Sequence, residues 1–232
     1  SSDYMRDVAL HFGPYSDHPA ARMLDRLSLQ PGMMNFSAPS NIMLLADESL
    51  CVRSDIETDE FVIRRAGGPD SLMAFLELLR DFAIRSSFSE FFAEHKEFYR
   101  SLADQAVTSI GTANYIAELE NFYGSSQRSY NIVLVSLYGP VGFGNSLLHS
   151  DQKRDIYNTM GPRSAKDGRP FFGDEEYLRH MIRHEFSHPF INPLTEKYWD
   201  TVKVYSANYE KFPEVARKNV CGDWQECINE FM

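Results

Sequence analysis

The clearest periodic signal in the chain lies between residues 70 and 124. In DSLMAFLELLRDFAI (70–84), Leu72, Phe75, Leu76 and Leu79 recur at helical spacing, and Asp70 after Gly-Gly-Pro predicts the cap. FSEFFAEHKEFYRSLADQAV (88–107) places Phe88, Phe91, Phe92, Phe98, Tyr99 and Leu102 at helical intervals. ANYIAELENFYG (113–124) predicts a third helix, closed by Gly124. The period then changes. SYNIVLVSLYG (129–139) holds a continuous apolar run, Ile132 to Val135, bounded by turn residues, which predicts a buried strand. RDIYNTMG (154–161) predicts another short strand after the glycine-rich stretch GPVGFGN.

The N-terminal third is less regular. VALHF (8–12) predicts a short strand, and GPYSDHPAARMLDRL a turn and helix, with Ser16 or Asp17 near the cap and Pro19 in the first turn. MMNFSAPSNIMLLAD (33–47) and EFVIRRAGG (60–68) predict short strands separated by turns. After residue 173 the pattern is helical again, through GDEEYLRHMIRHEFSHPFINP, KYWDTVKVYSANYEKF and DWQECINEFM. Helices, a strand pair and helices again predict an α+β chain, mainly helical with a small mixed sheet. A single domain over 1–232 is the simpler organisation, with an N-terminal lobe over 1–69 as the alternative.

Composition changes this picture little. Hydrophobic residues make up 43% and charged residues 24%, as in globular proteins generally. The net charge of −10 argues against nucleic acid, since phosphate binding needs a basic face. No apolar run is long enough for a transmembrane span, and SSDYMRD lacks the apolar core of a signal peptide. Without an initiator Met, the opening reads as a trimmed or mature chain, which leaves export open. Three cysteines, Cys51, Cys221 and Cys227, are not a disulfide framework; Cys221 and Cys227 either pair or remain free thiols.

The chemistry concentrates in HEFSH. His184 and His188 stand four apart, so both imidazoles face one side of a helix at a spacing that can grip one zinc ion. Asp174 caps this helix, and Glu175 and Glu176 place negative charge where the helix dipole favours it. Glu185 shares the phase of Leu178, with Met181 and Ile182 on the same side. A carboxylate in an apolar stripe is costly to bury without a partner, and a general base beside a metal-activated water has one. His180, one turn before His184, reads as a structural or supporting residue. Pro189 predicts that the helix ends at or just after His188.

The third ligand has to come from elsewhere. The extended HExxHxxGxxH pattern is excluded, because Ile191 and Leu194 occupy its positions. Among the later glutamates, Glu226 and Glu230 share a helix face near Trp224, Ile228 and Phe231, and Glu230 is the choice, with Glu226 as supporting residue or alternative ligand. Tyr198, Tyr205, Tyr209, His149 and Arg163 are the candidate donors to an oxyanion, unranked.

HPAARML, YNIVLVSLYG, RHEFSHPFINPL and the closing WQECINE together resemble the zincin-like proteins grouped as domain of unknown function 4932, over most of residues 6 to 232. The resemblance implies a gluzincin-type site, with His184, His188 and Glu230 on Zn2+, Glu185 as base, and a secreted or envelope-associated peptidase acting on a peptide or protein substrate. It also implies an edge strand over the metal helix that pairs with extended substrate, for which NIVLVSLY is the candidate. Related chains run on where this one stops, two residues after Glu230, which predicts a truncated C-terminal end. Three other readings stand beside this one. They are a non-catalytic peptide- or glycan-binding protein that retains the fold, a structural zinc site using Cys227, and a helical interaction protein.

Overall fold

A computed structural model describes residues 2–30, 37–57, 59–111, 114–219 and 221–231. The architecture is α+β, mostly helical with a small mixed sheet. The N-terminal half is helical: α1 (Asp3–Phe12), α2 (Pro19–Ser28), α3 (Ala38–Leu44), α4 (Glu60–Arg65), α5 (Pro69–Arg85), α6 (Phe88–Glu94), α7 (Lys96–Ile110) and α8 (Tyr115–Tyr123).

The sheet follows, with β1 (Ser129–Leu134), β2 (Gly142–Leu148) and β3 (Arg154–Met160) in the order β1-β3-β2. β1 runs parallel to β3 and β2 antiparallel to it, so β3 is central. A hairpin of β4 (Ser164–Lys166) and β5 (Arg169–Phe171) leads to the long helix α9 (Glu175–Lys197). The chain closes with α10 (Trp199–Val202), a 3-10 segment (Lys203–Lys211), α11 (Glu214–Asn219) and α12 (Trp224–Phe231).

Three of the expected strands are helices. Residues 8–12 belong to α1, where Met5, Val8, Ala9 and Phe12 recur at helical spacing and the Ser2 side chain accepts the Met5 amide. Residues 38–44 form α3, and Ala38, Ile42 and Leu45 are buried at intervals of four and three. Residues 60–65 form α4, capped by Asp59, whose carboxylate accepts the Phe61 and Val62 amides. In each case a short apolar window looks like a strand until its spacing is counted across two turns. The remainder of the 33–47 window, residues 33–36, lies outside the described residues.

Other boundaries shift. The cap of α2 is His18, whose Nδ1 accepts the Ala20 amide, in place of Ser16 or Asp17. α5 begins at Pro69, and Asp70 lies in its first turn without capping it. The expected helix over 88–107 divides at His95, whose Nδ1 donates to the Phe91 carbonyl at 2.8 Å beside the His95 amide, which the same carbonyl accepts. The residues after 202 take 3-10 geometry in place of a continuous α-helix.

Three buried clusters position the site. Met23, Leu27, Ile42, Leu45, Val62, Leu72 and Leu76 pack together and reach Leu147 of β2. Tyr115 and Leu119 of α8, Ile156 of β3, and Ile182, Phe186 and Phe190 of α9 form a second. Leu102, Met160, Phe172 and Leu178 form the third. α9 therefore lies across β2 and β3, and Asn158 of β3, fully buried, fastens it by donating to the Met181 carbonyl at 3.2 Å. β1 is only half-buried along its length, in place of the fully buried strand its composition predicts.

Candidate functional site

α9 forms as the sequence predicts at its start: Asp174 accepts the Tyr177 amide, and Glu175 and Glu176 sit in the first turn. It does not stop at Pro189. The helix continues to Lys197 with Pro189 and Pro193 inside it. Pro189 has no N–H to offer the Glu185 carbonyl, and that carbonyl faces β2. There Gly144 comes so close that an added Cβ would stand 2.5 Å from the Glu185 oxygen. Burial of Phe186, Phe190 and Ile191 on both sides of the proline outweighs the local penalty.

The side chains singled out from HEFSH converge with a residue from the far end of the chain. His184, His188 and Glu230 each offer a ligand atom, and these atoms lie within 4.8 Å of one another. His184 Nε2 is 3.2 Å from Glu230 Oε2, and His188 Nε2 is 3.6 Å from Glu230 Oε1. Ligand atoms held 2.0–2.1 Å from a tetrahedral zinc stand roughly 3.4 Å apart, so both distances fit. Two imidazoles and one carboxylate are also the borderline donor set that zinc favours. No other group of three potential ligands occurs among the described residues.

Glu185 stands beside them, 4% exposed, with Oε2 3.8 Å from His188 Nε2. Its two carboxylate oxygens face Gly142 and Gly144 of β2, where added Cβ atoms would stand 3.4 and 3.3 Å from them. Burial pushes the Glu185 carboxyl up to about 7; the charge of Glu230 adds to the rise, and the charge of His184 and the Gly144 amide oppose it. The hydrogen bond with Glu230 holds His184 above the usual imidazole range against the effect of burial. Burial pulls His188 below that range, opposed by the charge of Glu230. For Glu230, burial acts upward, but the hydrogen bond from His184 and the charges of both histidines hold the carboxyl below its ordinary value.

The remaining candidates separate. Glu226 lines the same cleft, but its Oε2 accepts the Gly222 amide and it is no member of the ligand group. His180 is exposed and stacks on His184, ring centroids 5.9 Å apart. Cys227 is disulfide-bonded to Cys221, so neither of these thiols is available to complete a closed metal site. None of the five oxyanion candidates lines the cleft. His149 is buried against Asp155 and the Asp55 carbonyl, Arg163 lies over the Tyr177 ring, and the Tyr209 hydroxyl donates to the Gly222 carbonyl. Tyr198 and Tyr205 are more than half exposed.

The cleft measures about 670 Å³ and is walled by Gly142–Gly144, by α9, and by Asn229 and Glu230 of α12. The strand along it is β2, not β1: the part of NIVLVSLY that is a strand, up to Leu134, belongs to β1 at the opposite edge of the sheet. Residues Gly142–Leu147 of β2 pair with β3 alone among the described residues, and Gly142, Phe143 and Gly144 line the cleft. GFGNSLL escaped a strand reading because glycine carries no pattern and is depleted in strands. Glycine at alternate positions of a strand is nevertheless a signal of close backbone approach, and here that approach is to Glu185. Gly144→Ala is therefore expected to force β2 away from α9. The expected overpacking cost is about 1–3 kcal/mol, measured by denaturant unfolding.

A family model described as a domain of unknown function (DUF4932) matches residues 1–232. No curated protein and no solved structure matches the chain.

Proposed function

The chain belongs to the DUF4932 family, and we propose that it is a zinc-dependent hydrolase of zincin-like, gluzincin type, acting as a metallopeptidase. The observation that carries this reading is the convergence of His184, His188 and Glu230 around one point, with the buried Glu185 carboxylate next to them. His184 and His188 of α9 and Glu230 of α12 would hold the ion through three protein ligands, leaving a position open to the cleft. Zinc bound there supplies a Lewis acid and lowers the pKa of water toward 7. Glu185 accepts the proton of the attacking water and passes it to the leaving amine nitrogen, so that acid and amine products balance. β2 offers its outer edge, apart from the Gly144 amide that Glu185 holds, to an extended peptide, which would add as a further strand. The amides of Asn192, Gln225 and Asn229 line the cleft and are the side-chain donors available to a developing oxyanion.

An extracytoplasmic location is part of the proposal, and the Cys221–Cys227 disulfide supports it, since such bonds persist in oxidising compartments. No helix among the described residues is long and apolar enough to cross a membrane.

The test is metal content by elemental mass spectrometry, together with hydrolysis of a mixed peptide library. Wild type should carry about one zinc per chain and His184→Ala none, and cleavage should vanish with a chelator and return with zinc. Zinc bound at that level without cleavage of any peptide would remove the peptidase reading in favour of a binding protein.

A further inference from the structure

A second cavity of about 430 Å³ continues from the cleft along β2 and shares Gly144 and Asn192 with it. One wall is apolar, made by Leu44, Phe61 and Val62 from α3 and α4. Asp59 and Glu196 place carboxylates in its lining, and no Lys or Arg is among the described residues that form it. Asn41 and Asn145 also belong to the lining. Beside this wall, Arg64 and Arg65 lie over the Phe61 ring at 5.3 and 5.6 Å from its centroid. Asp59 is partly engaged by the α4 amides, whereas Glu196 is exposed.

We propose that this cavity is a specificity subsite for a Lys or Arg side chain of an extended peptide lying along β2. Both side chains carry donors and no acceptor, which matches the two carboxylates. Both also carry an aliphatic stem that can lie on Leu44, Phe61 and Val62 while the charged end stays near the rim. At ~3.3 Å per residue along a strand, the span from Gly142 to Leu147 puts the basic residue within about two or three positions of the bond presented to Glu185. The cleavage consequence rests on the metallopeptidase reading; the binding step does not.

Binding and turnover separate the two. The Glu185→Gln protein is titrated with fluorescein-labelled alanine-rich peptides bearing a single Arg, Lys, Leu or Glu, followed by anisotropy. Arg and Lys peptides are expected to bind about tenfold tighter than the Leu and Glu peptides. Glu196→Gln and Asp59→Asn, the latter still able to cap α4, should each erase several-fold of that advantage and leave the Leu peptide unchanged. Equal binding of all four peptides, no binding, or variants that weaken all four alike overturn the subsite. The zinc-loaded wild type is then given the same peptides, with products read by mass spectrometry. Selective binding of basic peptides that are never cut sustains the subsite and removes the peptidase reading. Cleavage with no basic residue at a fixed position removes the subsite and leaves the peptidase.

Discussion

Glu185→Gln is expected to lower kcat/KM for peptide hydrolysis by about 10²–10⁴-fold while zinc stays at about one per chain. The substitution is nearly isosteric, which matters because Glu185 is packed between α9 and the glycines of β2, 4% exposed. A carboxamide fills that space, and its oxygen can still accept the Gly144 amide, but it cannot take a proton from water and deliver it to an amine. The ligand atoms of His184, His188 and Glu230 belong to other side chains, so metal content separates loss of the base from loss of the site. The variant should also be no less stable than wild type in denaturant unfolding, because it removes an ionisable group that burial disfavours. Activity at the wild-type level would mean that another group moves the proton. Loss of both zinc and activity would mean that Glu185 holds the site's geometry.

Much of this site can be found in the sequence, and the parts that cannot have a common cause. Asp174, Glu175 and Glu176 mark the start of α9, and Leu178, Ile182 and Glu185 recur on its buried side, so the helix and the inward carboxylate follow from local spacing. Gly124 ends α8 at positive φ, where glycine is favoured, so the C-terminal end of that helix is also where its sequence places it. The errors arise where contacts from elsewhere in the chain overrule a local rule. Pro189 should end a helix, but the buried Phe186, Phe190 and Ile191 hold it through, and its orphaned carbonyl partner meets β2 instead of water. β2 is invisible for a related reason. Gly142 and Gly144 have no side chains to make a pattern, and their meaning appears only when Glu185 is set against them. α1, α3 and α4 are legible locally, since their apolar positions repeat at helical intervals. The pairing of Glu230 with HEFSH follows from chemistry and resemblance alone, because no spacing rule spans two separate helices.

The second large effect concerns that helix. Glu230→Ala is expected to weaken zinc binding at least tenfold in competition titration with a chromogenic chelator, the loss already typical of removing a group one step behind a ligand. Its carboxylate is the only anionic member of the ligand group, and it meets both imidazoles, at 3.2 and 3.6 Å. Removing it also deprives His184 of the partner that favours its protonated form, so the apo variant should be freer to lose that proton. Glu226→Ala tests the assignment from the opposite side. Its carboxylate holds the Gly222 amide at the start of α12, four residues before the ligand, and the Cys221–Cys227 disulfide ties the same segment. Its loss should therefore loosen the mounting of Glu230 without removing a ligand, and zinc affinity should fall by less than for Glu230→Ala. Reduction of the disulfide in the Glu226→Ala protein should deepen the loss, since two restraints on one short helix act on the same coordinate. An order reversed, with Glu226→Ala the more damaging, would exchange the two roles and make α12 turn its other carboxylate toward His184 and His188 when metal is bound.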